Sequence, residues 1–128
     1  MVGVMKPIRV LIVDDLEFMR RAIADILTNA GIDVTGEAPN GAEGIEAYLS
    51  LRPDVVLMDI TMPVMNGLQA LRGIKRRDPK ARVVMCSALG QQRYIIRAIQ
   101  LGARDFIVKP FRQERIVNAV RKAAVGRI

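Results

Sequence analysis

The sequence predicts an α/β protein built on one doubly wound, parallel β-sheet with helices over both of its faces. Short continuous apolar runs alternate five times with longer stretches in which apolar residues recur every three or four positions. The runs are apolar throughout, as strands buried on both faces require, and they do not alternate apolar with polar. A chain of 128 residues with 51% apolar content can bury one core as a single domain without disulfides or metal staples.

The first run, Ile8 to Val13, is rich in β-branched residues and ends on Asp14-Asp15. Met19, Ala22, Ile23, Ile26, Leu27 and Ala30 then mark a helix that Gly31 stops. Asp33 to Glu37 reads as a second strand. Asn40 is placed to cap a helix running through Leu49, with Glu43 at the capping-box position. Asp54 to Met58 is the third strand and leads directly to Asp59. Pro63 and Asn66-Gly67 mark a loop before a helix carrying Leu68, Leu71 and Ile74. Arg82 to Cys86 is the fourth strand, reaching Ser87. Ile95, Ile96 and Ile99 define a helix closed by Gly102. Asp105 to Val108 is the fifth strand, and Ile116, Val117 and Val120 mark the last helix. No linker, repeat or low-complexity tract interrupts these five βα units. Right-handed crossovers restrict them to a three-layer sandwich. Among doubly wound strand orders we take 2-1-3-4-5, a choice shared with the family named below rather than a derivation from the residues.

Composition excludes several function classes. Histidine is absent, so there is no histidine metal site, general base or phosphocarrier, and the single Cys86 cannot form an internal disulfide. Its apolar neighbours place Cys86 in a buried strand, and a reducing cytoplasmic setting fits. The N-terminal segment lacks the pattern of a signal peptide, and no apolar run is long enough for membrane insertion. Net charge is +7, from 20 basic and 13 acidic residues. That surface favours acidic partners, but without a dense basic run or arginine–aromatic interleaving it predicts no specific nucleic-acid binding.

Three acids stand at strand ends: Asp14 and Asp15 after the first strand, Asp59 after the third. In the order 2-1-3 these strands are neighbours about 4.8 Å apart, so the carboxylates converge at the edge where open α/β sheets bind ligands. Ser87 ends the fourth strand and Lys109 follows the fifth, both on the same rim. Three carboxylates this close repel one another. Lys109 offsets one charge, and a hard divalent ion, Mg²⁺, suits the rest. Asp59, central and flanked by Ser87 and Lys109, is the candidate nucleophile toward phosphorus. Each residue also has a plainer reading: Asp15 as a helix-start charge, Asp59 as a turn residue, Ser87 as a loop hydroxyl, Lys109 as a solvated lysine. The five together favour the site.

These residues resemble those of bacterial response-regulator receiver domains, whose fold is flavodoxin-like. The matching segments are Val10-Leu-Ile-Val-Asp-Asp15, Met58-Asp-Ile-Thr-Met-Pro63 with Asn66-Gly67, Cys86-Ser-Ala88 and Asp105-Phe-Ile-Val-Lys-Pro110. The resemblance spans about residues 8–124, leaving an N-terminal extension over 1–7 and a short tail over 125–128. It implies Mg²⁺ binding by Asp14, Asp15, Asp59 and the Thr61 backbone carbonyl. It implies phosphorylation of Asp59 by a histidine kinase, a switch pair of Ser87 and Phe106, and a cis Lys109–Pro110 peptide. Phe106 stands where a tyrosine is common in chemotaxis members; as a plain alternative it is simply core.

Ser87-Ala-Leu-Gly-Gln-Gln92 and Lys109-Pro-Phe111 are similar to single-domain chemotaxis regulators of the CheY type. That implies a monomer phosphorylated by a CheA-type kinase, acting on the flagellar motor switch and open to a phosphatase. It also implies an output face carrying Arg93, Arg97, Arg112 and Arg115. The phosphoacceptor assists its own chemistry and is not otherwise an enzyme. One rival is a stand-alone or excised receiver of a transcriptional or phosphorelay regulator. Another is an aspartate-nucleophile phosphatase, against which Asp14-Asp15-Leu16 lacks the Asp-x-Asp pattern. A flavin-binding protein would need a Ser/Thr/Gly-rich loop where Leu16-Glu17-Phe18 stands.

Overall fold

The computed structural model describes residues 6–126, so most of the predicted N-terminal extension and half of the tail lie outside the described residues. Five strands, β1 (Arg9–Val13), β2 (Asp33–Ala38), β3 (Val55–Asp59), β4 (Val83–Ser87) and β5 (Asp105–Val108), pair in parallel in the order β2-β1-β3-β4-β5. The expected order is the one observed. Because side chains alternate across a strand, Val10, Ile12 and Leu57 enter one half of the core while Leu11, Val13, Val56 and Met58 enter the other. This explains why the strands are apolar at every position.

The helices α1 (Glu17–Asn29) and α5 (Gln113–Ala123) cover the first half; α2 (Gly41–Leu51), α3 (Gly67–Arg77) and α4 (Arg93–Gln100) cover the second. Gly31, at φ 78°, turns the chain out of α1 as expected. Asn40 caps α2 by accepting from Glu43 N–H at 2.9 Å, but the predicted reciprocal box does not close. The Glu43 carboxylate instead accepts from the Asn40 amide at 2.7 Å. A full capping box forms at α3, where Asn66 Oδ1 accepts from Gln69 N–H at 2.9 Å and Gln69 Oε1 from Asn66 N–H at 3.0 Å.

The fourth helix departs from its sequence reading. Ile96 and Ile99 are 68% and 57% exposed, while Ala98 is the residue of α4 that is buried. Tyr94 and the following Leu101 pack partway into the core beside it. The isoleucine period marks the helix correctly but does not mark its inner face. At the opposite end of the sheet from the acids, Tyr48 of α2 donates to Asp78 Oδ2 after α3 at 2.5 Å, with Arg52 3.5 Å from the same oxygen. This ties two helix C-termini together.

Candidate functional site

All three acids reach one edge because β1 and β3 are adjacent, with Val13 paired to Met58. One carboxylate oxygen from each of Asp14, Asp15 and Asp59 lies within 4.8 Å of the other two. Asp14 and Asp59 are buried and Asp15 is exposed. Asp14 is held on both oxygens: Oδ1 accepts from Leu16 N–H at 2.9 Å and Oδ2 from Lys109 Nζ at 3.1 Å. Arg20 fixes the turn by donating to the Asp14 carbonyl at 2.7 Å while pairing with Glu37 at 3.0 Å.

The Asp59 position depends on a close backbone approach. Gly67 N–H donates to Ile60 O at 2.7 Å, and a Cβ on Gly67 would lie 2.0 Å from the Asp59 carbonyl oxygen. Only glycine fits there, for want of space and not because of an unusual φ. The sequence marked Asn66-Gly67 as turn punctuation; the contact with Asp59 could not be read from it. Asp59 Oδ1 accepts from Ile60 N–H at 3.0 Å and stands 3.5 Å from Lys109 Nζ. Lys109 thus serves both buried acids, and its backbone N–H donates to Ser87 O at 2.8 Å. The Lys109–Pro110 peptide is cis, in keeping with the resemblance.

Burial pushes the Asp59 carboxyl up to about 6, and the nearby Asp14 charge adds to this while Lys109 partly offsets it. Burial pulls the Lys109 ammonium the other way, yet Asp59 and Asp14 prevail and its pKa is raised, keeping it charged. Cys86 is buried beside them in β4, and desolvation lifts its thiol to about 12, leaving it unreactive.

Ser87 ends β4 fully buried, and its Oγ has no hydrogen-bond partner among the described residues. A buried hydroxyl left unpaired costs roughly 1–3 kcal/mol. Phe106, opposite Met85 in the β4–β5 register, is half-buried and packs against the core beneath α4. Thr61 follows β3 on the exposed rim. On the predicted output face Arg93, Arg97, Arg112 and Arg115 are all exposed. Arg93 stacks on Tyr94, and Arg115 pairs with Asp105 at 3.3 Å and donates to Phe106 O at 2.8 Å.

An acid triad at a switch point, with one lysine and an unpaired hydroxyl, defines a class. Residues 10–121 match the family described as the response regulator receiver domain, and the chain belongs to that family. Within it, the chain is similar to single-domain chemotaxis regulators. It is 55% identical to the chemotaxis protein CheY of Thermotoga maritima over 91% of this chain and 97% of that one. It is also 55% identical to the CheY of Bacillus subtilis, over 89% and 95%. Among solved structures, the CheX-CheY-BeF₃-Mg²⁺ complex from Borrelia burgdorferi superposes with a TM-score of 0.88 at 36% identity, covering 93% of this chain and 90% of that one. The response regulator domain of Thermotoga maritima CheB gives 0.86 at 37% identity, over 93% and 97%. Among the described residues no helix is long and apolar enough to cross a membrane.

Proposed function

We propose that Asp59 accepts a phosphoryl group from a CheA-type histidine kinase, and that the modified protein acts on the flagellar motor switch. The observation that carries this is a charge imbalance. Three carboxylates lie within 4.8 Å of one another, and Lys109 stands 3.1 and 3.5 Å from the two buried ones. One ammonium against three carboxylates leaves a deficit that a divalent cation matches, and an all-oxygen donor set suits Mg²⁺. Asp14, Asp15, Asp59 and the Thr61 backbone carbonyl would hold it. When bound, Mg²⁺ supplies positive charge to the incoming phosphoryl oxygens.

The chain's own residues do the rest. A carboxylate oxygen of Asp59 forms the bond to phosphorus as the donor's bond to phosphorus breaks. Lys109, already placed between Asp14 and Asp59, neutralises charge on the transferred group. Ser87 Oγ, lacking a partner, donates to a phosphoryl oxygen, and Phe106 repacks as the β4 end shifts. The exposed arginines near α4 and α5 suit an acidic docking segment. The Borrelia CheY, solved together with CheX, supports a further protein partner, for which we take a phosphatase. The functional unit is residues 8–124, a cytoplasmic monomer with no substrate besides its own phosphoryl donor.

Incubation with Mg²⁺ and a small acyl phosphate is expected to add one phosphoryl group, labile to alkali and to hydroxylamine, to the wild type and none to Asp59→Asn or in EDTA. A modified Asp59→Asn protein would refute the assignment. Binding to an N-terminal peptide of a flagellar switch protein is expected to tighten with a phosphoryl mimic; equal affinity in both states refutes the partner.

A further inference from the structure

The hydrogen bonds between β3 and β4 stop just short of the site's rim. Ile60 N–H donates to Cys86 O at 3.0 Å, and the parallel pattern would next join Ala88 N–H to Ile60 O. That carbonyl already accepts from Gly67 N–H at 2.7 Å. Ala88 N–H is therefore released at the end of β4 on the side facing β3, where Asp59 stands. Its acceptor is a side chain instead: Gln91 Oε1 lies 2.7 Å away, and Gln91 Nε2 donates to Thr61 Oγ1.

The loop is shaped for this contact. Gln91 N–H donates to Ala88 O at 3.1 Å, closing a turn whose third residue, Gly90, has φ 93°. That conformation favours glycine. The turn brings residue 91 back over Ala88, and its amide then bridges the β4–α4 loop to the β3–α3 loop across the rim. The Gln91 backbone carbonyl accepts from Tyr94 N–H at 2.9 Å in the first turn of α4, but its side chain makes no capping bond, and the N-cap, Gln92, has no side-chain contact.

We infer that Gln91 is a latch on the phosphorylation site, a positioning residue that occupies the Ala88 amide until a phosphoryl oxygen on Asp59 displaces it. This rests on Asp59 being the phosphoacceptor. A phosphoryl group there meets two donors at the β4 end, Ser87 Oγ and Ala88 N–H. The first is free, whereas the second is held by a neutral amide oxygen. A phosphoryl oxygen is the stronger acceptor, so the exchange proceeds, but it gives up the bond to Gln91 and disturbs the tie to Thr61. The latch therefore weakens the phosphorylated state relative to the resting one. The differential is about three- to tenfold in equilibrium, the worth of one neutral hydrogen bond.

The test compares wild type, Gln91→Ala and Thr61→Ala for affinity toward beryllofluoride in saturating Mg²⁺, with Ala88 amide exchange followed in the unmodified proteins. Gln91→Ala is expected to bind beryllofluoride about three- to tenfold tighter and to exchange the Ala88 amide faster. Thr61→Ala, which loosens only the far end of the bridge, is expected to fall between them. A loop-stiffening role for Gln91 would lower thermal stability without tightening beryllofluoride. Affinity in Gln91→Ala within twofold of wild type, or weaker, overturns the latch. A wild type that neither binds beryllofluoride nor takes a phosphoryl group from an acyl phosphate overturns the Asp59 reading and the latch with it.

Discussion

Replacing Asp59 by Asn is expected to stabilise the metal-free protein at neutral pH. Burial beside Asp14 raises the Asp59 carboxyl from 3.8 to about 6, and the side chain is only 10% exposed. A rise of roughly 2 units corresponds to about 3 kcal/mol of lost stability once the group is ionised in both states. The sign follows from proton counts. Between the two pKa values the folded state binds the proton that the unfolded state has released, so stability falls as pH rises through that window. Below about pH 4 both states are protonated and the penalty is absent.

Asparagine keeps an oxygen for Ile60 N–H and loses the 3.5 Å contact with Lys109, which retains Asp14 at 3.1 Å. A buried amide still carries some desolvation cost, so the net gain is about 2 kcal/mol, or roughly 5–10 °C in Tm for a domain of this size. Thermal and urea unfolding followed by circular dichroism in EDTA, at about pH 8 and about pH 4.5, measure it. The variant should gain at the higher pH and converge on wild type at the lower. A variant no more stable than wild type at about pH 8, or a difference independent of pH, refutes this account of Asp59. Saturating Mg²⁺ should stabilise wild type more than the variant and narrow the gap.

Ser87→Ala removes a buried hydroxyl that has no partner among the described residues, so it should raise the unfolding free energy by about 1–3 kcal/mol in urea unfolding. Its beryllofluoride affinity should nonetheless fall roughly 10- to 100-fold, the worth of a hydrogen bond to a charged group; equal affinity would remove Ser87 from the site. Gly67→Ala forces a Cβ to 2.0 Å from the Asp59 carbonyl oxygen and should cost about 3 kcal/mol or more, together with Mg²⁺ affinity, measured by urea titration and calorimetry. Tyr48→Phe breaks the bond to Asp78 and should cost about 1 kcal/mol in urea unfolding without touching phosphorylation, because the pair sits at the far end of the sheet.

The strands and the acid cluster were legible because they follow from pattern. Continuous apolar runs require burial on both faces, and residues that end parallel strands must share an edge. Asp14, Asp15, Asp59, Ser87 and Lys109 were all found that way. What escaped depends on packing that a linear pattern does not encode. Ile96 and Ile99 obey a helical period, yet α4 sits on the core through Ala98, since a small side chain permits closer approach. Glu43 stands at a capping-box position, but its carboxylate meets the Asn40 side chain instead of the backbone; the box forms between Asn66, which the sequence marks only as loop punctuation, and Gln69 in the helix that follows. Gln91 sat within a segment notable for its resemblance, but its bridge depends on Gly67 having taken the Ile60 carbonyl. That contact spans two loops that are distant in sequence and leaves no local signature.

These pieces share a physical logic. In its resting form the site holds a carboxyl raised to about 6, a buried hydroxyl with no partner, and a strand-end amide occupied by a side chain. Among the described residues Thr35 Oγ1 and Arg82 Nε are also buried without partners, but Thr35 lies in the edge strand β2 and Arg82 precedes β4 at the opposite end from Ser87. Neither adjoins a second unsatisfied group. At the acid edge the unfavourable features are neighbours, and a phosphoryl group on Asp59 with a divalent cation would satisfy them together. A ligand shifts a conformational equilibrium only through differential interaction with the two states. A resting site that is poorly satisfied supplies that difference, and Gln91 sets a limit on it by giving the Ala88 amide a partner beforehand. Stability is forgone at this edge where responsiveness to phosphorylation is gained.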